Sequence, residues 1–217
     1  KAAYNVKETR DRLPQSSTEQ INNLLNEFDR SISKSSRIKP KDMYKLIEGS
    51  QRFFGIINDN FSTGSVFEFI RLGRYVERVD MISRTLDTLC VSKKTSQTHD
   101  FSTLEWASML RNLSAQGAYR DEAKGEIERG SVLKFLFKNK GFPRSINNCL
   151  IEIDKSVAVL PNNRLLKEEV SKVIEKIMSS RVENYDDDKL HDFLDNLQNK
   201  IFNLDSRIHK SWFHLHG

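Results

Sequence analysis

Cysteine, proline and glycine are all scarce in this chain of 217 residues, which holds two, four and nine of them. Two cysteines, Cys90 and Cys149, are too few for a disulfide framework or a zinc knuckle. Each lies near the end of an apolar run, where a buried free thiol is the default, so the expected setting is reducing and cytoplasmic. The shortage of proline and glycine argues against an all-β chain. No segment alternates apolar and polar residues at a period of two. No apolar run approaches the roughly 18 residues of a membrane span, and the opening KAAYNVKETRD lacks the apolar core of a signal peptide. The reading is a soluble chain with no membrane partner.

Charge of one sign is also missing. The net charge is only +5, with acidic and basic residues interleaved throughout, which excludes a general nucleic-acid binder with a clustered basic face. No Walker lysine loop, GxGxxG run, HExxH pair or paired-acid constellation occurs. Neither a cofactor nor a metal site is expected, and independent catalysis is not.

What remains is helix. Apolar content is 37% and charged content 30%, the balance of helices that each bury one stripe. The expected map has a short helix ending before Pro14, a second over residues 17–32 and a third from Pro40 to about Asn58. A fourth runs from Ser65 to about Val91, and a polar loop follows over 92–100. Ser102 opens a helix with Trp106, Leu110 and Leu113, and the VLKFLF helix ends near Gly141. The next helix starts at Phe142-Pro143-Arg144-Ser145, with proline in its first turn, and stops before Pro161. Three starts, Ser16-x-x-Glu19, Ser65-x-x-Glu68 and Ser102-x-x-Glu105, fit the capping-box pattern. Trp106, Phe53, Phe54, Phe67 and Phe69 read as core.

The last third reads as a long antiparallel hairpin. Leu166, Val170, Val173 and Ile177 form one stripe, and Leu190, Leu194, Leu197, Ile201, Leu204 and Ile208 form the other. Their 3.5-residue period is that of helices packed in a seam. Asp186-Asp187-Asp188 makes the turn and acidic helix start. The second stripe also offers a seam for a homodimer. The fold class is all-α, a multi-helix bundle with a core over 1–160 and the hairpin of 161–217 packed on the same domain.

The most informative stretch is residues 67–89, FEFIRLGRYVERVDMISRTLDTL. At about 100° per residue, Leu72, Tyr75, Val76, Val79, Ile82, Leu86 and Leu89 share one arc. Arg71, Arg74 and Arg78 project side by side along its flank, and Gly73, Glu77, Asp80 and Arg84 point away. Three stacked guanidiniums repel one another unless something negative faces them. Carboxylates inside the protein and an anionic ligand outside it are both open, with Glu77 orienting an arginine and Arg120 and Arg144 joining in space. Intrahelical pairs (Asp80 with Arg84, Arg74 with Glu77) contribute only a few tenths of a kcal/mol each, too little to hold such a cluster.

Other candidates are weaker. Amides after Pro143 form a positive helix end able to receive an anion, and Ser145 stands there without the frame of a nucleophilic serine. Cys149 needs a neighbouring base to act as a nucleophile, and the sequence identifies none. His209, His214 and His216 share no helix face. His191 near Asp187 and Asp188 offers too few ligands for a divalent cation.

Several segments, taken in order, resemble the bacterial alpha-E domain family. GRYVER at 73–78 resembles its Glu-Arg signature, within the broader match FIRLGRYVERVDMISRTLD. KETRDRL at 7–13 is similar to its arginine-rich helix, and Trp106-x3-Leu110-Arg111 and Ala118-Tyr119-Arg120 follow. VLKFLFKNKGFPRSINNCL at 132–150 resembles its PRS-x-CL block. The likeness covers roughly residues 1–160 and continues weakly into the hairpin. The family pattern is two-part, and this chain holds only the second occurrence. Together with an opening that reads as mid-helix, this gives the expectation of a piece of a longer protein.

The resemblance implies an accessory module, encoded beside or fused to ATP-grasp ligases, transglutaminase-like proteins or N-terminal-nucleophile hydrolases. The function it implies is binding within an ATP-grasp-linked peptide or amide-bond system. The alternative is an enzyme subunit whose arginine pocket holds a carboxylate or phosphate substrate. The candidate ligand-binding set is Arg71, Arg74, Glu77, Arg78, Arg120, Arg144 and Ser145.

Overall fold

The computed structural model describes residues 2–34, 37–95, 102–123 and 125–213. Ten α-helices and no strand occur among them, and the chain divides into two compact units at Phe67/Glu68.

The first unit holds α1 (Ala2–Thr9), a 3-10 turn (Arg10–Arg12), α2 (Gln15–Lys34) and α3 (Pro40–Asn60). Pro40 opens α3 as the sequence predicts, because its fixed φ suits a helical first turn. Asp42, two residues on, accepts from the Lys39 amide at 3.2 Å and from Ser31 Oγ at 2.8 Å, linking the end of α2 to the start of α3. Gly49 lets the two helices approach closely, since a Cβ there would stand 2.5 Å from Leu24 Cδ1. The Ser16 capping box does not form. Helix α2 begins one residue earlier, where the Pro14 carbonyl accepts from the Ser17 and Thr18 amides, and Glu19 accepts from Gln15 instead.

Helix α4 (Ser65–Thr95) crosses the division. Ser65 stands inside its first turn, and Glu68 is turned to Arg71. Helix α5 (Ser102–Asn112) likewise starts at Ser102 itself. From Glu68 onward, the second unit adds α6 (Gln116–Ala123), α7 (Arg129–Lys138), α8 (Ile146–Val159), α9 (Arg164–Ser179) and α10 (Asp187–Trp212). Helix α6 was not expected from the sequence. Leu72, Val76, Val79, Ile82 and Leu86 of α4 are buried on one arc, and Trp106, Leu110, Phe137, Ile146 and Leu150 share their core. Phe53, Phe54, Phe67 and Phe69 are only partly buried.

The hairpin forms as the 3.5-residue period requires. All ten seam residues of α9 and α10 are buried inside the chain, so this stripe is not open to a second copy. Asp186 caps α10 by accepting from the Lys189 amide at 2.8 Å. Trp212 Nε1 donates to the Pro161 carbonyl at 2.9 Å, fixing the far end of α10 to the α8–α9 turn. Helix α7 is tied to the link between α9 and α10 at both ends. Lys138 donates to the Ser180 carbonyl, and Arg129 donates to the Tyr185 carbonyl and, at 2.9 Å, to Asp187. No helix among the described residues is long and apolar enough to cross a membrane.

Candidate functional site

The arginine ladder divides. Arg71 meets two carboxylates: Glu68 one turn back on α4 at 3.2 Å, and Glu152 on α8. Lys155 adds a second cation to Glu152 at 2.6 Å. Burial pushes the Glu152 carboxyl up, but Lys155 and Arg71 outweigh it and hold the group below its usual range. This part of the ladder is an internal ion network, with its charges cancelled within the protein.

Arg78 and Arg144 are held differently. Arg78 donates to the Pro143 carbonyl at 3.0 Å and lies 5.2 Å from the centre of the Tyr75 ring. Arg144 donates to the Leu113 carbonyl at 3.1 Å and to Ser114 Oγ at 3.2 Å, at the C-terminal end of α5. Helix carbonyl ends attract cations through the macrodipole. A carbonyl satisfies a donor but carries no full negative charge, so it fixes a guanidinium without cancelling it.

Arg74 stands with both. Its affinity for a proton is lowered first by burial and then by the positive charges of Arg78 and Arg144. Like charges at short range disfavour the charged form, and an arginine nonetheless stays charged at any physiological pH. The sequence expectation that Arg144 joins the ladder in space is therefore met. The result is a cationic cluster of Arg74, Arg78 and Arg144 on partly exposed side chains.

The turn carrying Arg144 is rigidly built. Asn139, at the end of α7, accepts from the Gly141 amide at 2.8 Å and from the Phe142 amide. Ser145 donates to the Asn139 carbonyl and accepts from the Asn148 amide at 3.0 Å. Ser145 is thus the N-cap of α8. Pro143 precedes that cap and is not in the first helical turn, contrary to the sequence reading. At this helix start the serine hydroxyl takes up the Asn148 amide.

Glu77 is exposed and raises the affinity of Arg84 for its proton, behind the larger effect of Asp80, which pairs with Arg84 at 2.7 Å. Arg120 is exposed on α6. Cys149 lies beneath the cluster, fully buried. Burial pushes its thiol up to about 12, although Arg78 and Arg74 pull the other way. At neutral pH it is an uncharged thiol and no nucleophile. His209 is exposed, and His214 and His216 lie outside the described residues.

Sequence reasoning missed Glu152 and Asn139. Nothing local marks Glu152, since its partner is 81 residues away. Asn139, two residues before a glycine, does carry the signature of a side chain that closes a turn on its own backbone.

The family model described as a predicted alpha-helical domain with a conserved ER motif, Alpha-E, matches residues 1–213. The matched span contains Glu77-Arg78 and takes in the C-terminal hairpin. No curated protein and no solved structure matches the chain. The chain belongs to the Alpha-E family.

Proposed function

We propose that this chain is an accessory helical binding module of an ATP-grasp-linked peptide or amide-bond synthesis or modification system. Its Arg74–Arg78–Arg144 cluster receives an anionic group of the partner, an ATP-grasp-type ligase or a transglutaminase-like protein. A bacterial, cytoplasmic setting belongs to the same proposal.

The observation that carries the reading is the contrast within one ladder. Arg71 is neutralised by Glu68 and Glu152, whereas Arg78 and Arg144 are positioned by main-chain carbonyls beside Arg74. Guanidiniums fixed in this way are preorganised for a carboxylate or phosphate, because little side-chain entropy remains to be lost on binding. The neighbouring groups favour binding over catalysis. Cys149 is buried and protonated, and the Ser145 hydroxyl is engaged at both its donor and its acceptor positions.

A second reading draws on the partial burial of Arg74: an enzyme subunit whose arginine pocket holds an anionic substrate. Capture of the neighbouring ATP-grasp protein by immobilised chain, wild type and R144A, separates the two. The module reading expects capture by wild type and its loss in R144A. Capture that persists in R144A, with loss of turnover on a small anionic substrate, supports the enzyme-subunit reading.

A further inference from the structure

A second cluster of ligating groups lies apart from the arginines. Asp87 stands on α4, while His191 and Asp195 stand one turn apart on α10. His191 Nδ1 is 2.6 Å from Asp87 Oδ1, and His191 Nε2 is 3.8 Å from Asp195 Oδ2. One donor atom from each of the three residues lies within 4.8 Å of the other two. We infer that Asp87, His191 and Asp195 form a binding site for a divalent transition cation of the zinc class.

The argument begins with charge. With a neutral imidazole, two carboxylates flank one ring, Asp87 from α4 and Asp195 from the next turn of α10. A single proton on that ring offsets only one of them, and a divalent cation offsets both. In sequence the site is flanked on α10 by Asp188 and Asp192 as well as by Lys189, and Asp187 is already paired with Arg129. This acidic stretch stands against a chain whose net charge is +5.

Ligand type then selects the cation. One imidazole nitrogen with two carboxylate oxygens suits zinc and its neighbours, whereas magnesium and calcium prefer all-oxygen shells. Zinc bonds of ~2.0–2.2 Å at tetrahedral angles put donors roughly 3.3 Å apart. A cation takes only one nitrogen of the ring, so the Nδ1–Asp87 and Nε2–Asp195 contacts cannot both persist around it. With one donor from each residue within 4.8 Å of the others, the bound form needs side-chain rotation. Three protein ligands leave a fourth position for water, as in open zinc sites. The sequence reading set His191 beside Asp187 and Asp188 and found too few ligands. The site uses neither of those aspartates: its carboxylates are Asp87, 104 residues away, and Asp195, one turn further along α10.

Titration of the full chain with zinc ion alone, in competition with a chromophoric chelator, tests this. Wild type is expected to hold one zinc ion with a dissociation constant on the order of micromolar. H191A and D195N should each bind at least ~10-fold more weakly, the lower limit for losing even an outer-shell partner. Asp195 is more than half exposed, so D195N tests the site with the fold intact, as circular dichroism melting will verify. H214A/H216A controls for the C-terminal histidines and should bind as wild type does. The inference is overturned if wild type fails to bind one equivalent, if either H191A or D195N binds as tightly as wild type, or if H214A/H216A alone removes binding.

Discussion

Arg78 of the Glu-Arg pair donates to the carbonyl of Pro143 at 3.0 Å, joining the α4 helix to the turn that presents Arg144. Arg78 and Arg144, distant from each other in sequence, thereby both act on Arg74 through their charge. One helix face thus performs two tasks. Its Arg71 turn holds α4 to α8, and the Arg78 turn reaches the turn that presents Arg144.

The Arg71–Glu152 contact is structural, so E152Q should lower stability while leaving partner capture intact. The expected loss is about 1–2 kcal/mol, the modest end for a charge-assisted hydrogen bond because the pair is partly solvated. Urea unfolding followed by circular dichroism measures it. The pH dependence follows from the same carboxylate. Its folded form releases a proton more readily than the ordinary value of 4.5, so the stabilisation is complete above that value. It disappears as pH falls through the lower folded value. The acid limb of the stability curve should accordingly be shallower in E152Q than in wild type.

Much of the architecture is legible in the chain because it rests on local periodicity. The seam of Leu190, Leu194, Leu197, Ile201, Leu204 and Ile208 is buried throughout, as its spacing requires. The division of the ladder is not legible, since it depends on Glu152 and on a backbone oxygen of Pro143 that no residue pattern announces. The capping boxes at Ser16 and Ser65 misled because a serine followed by glutamate also fits inside a first turn. At Ser65 the glutamate faced a stronger partner in Arg71. For His191 the sequence points to Asp187 and Asp188, whereas the short contact comes from Asp87 on another helix.

Gly130 faces the link between α9 and α10, where an added Cβ would stand 3.0 Å from the main-chain oxygen of Glu183. A backbone atom cannot rotate away as a side chain does. G130V should therefore destabilise the fold by about 1–3 kcal/mol, the usual cost of overpacking, despite the gain expected from removing a helical glycine. Chemical denaturation reads the difference.

Cys149 and Cys90 are both buried, and Cys149 is held protonated at neutral pH. Neither should react with a thiol reagent in the native chain at pH 7.5, and both should react in urea. Rapid labelling of native Cys149 would mean that the cluster above it opens readily to solvent.

The α10 stripe lies inside the chain's own core, so melting should not vary with protein concentration. A melting temperature that rises with concentration would indicate self-association through another surface.

The most direct measurement is the affinity of the neighbouring ATP-grasp protein for wild type and for R74A, titrated at low and high salt. R74A should retain its helical content and bind at least ~10-fold more weakly, equivalent to about 1.4 kcal/mol. Wild-type affinity should also fall as salt rises. Equal affinity of the two chains for that partner, unaffected by salt, would contradict an anion-receiving role for this cluster.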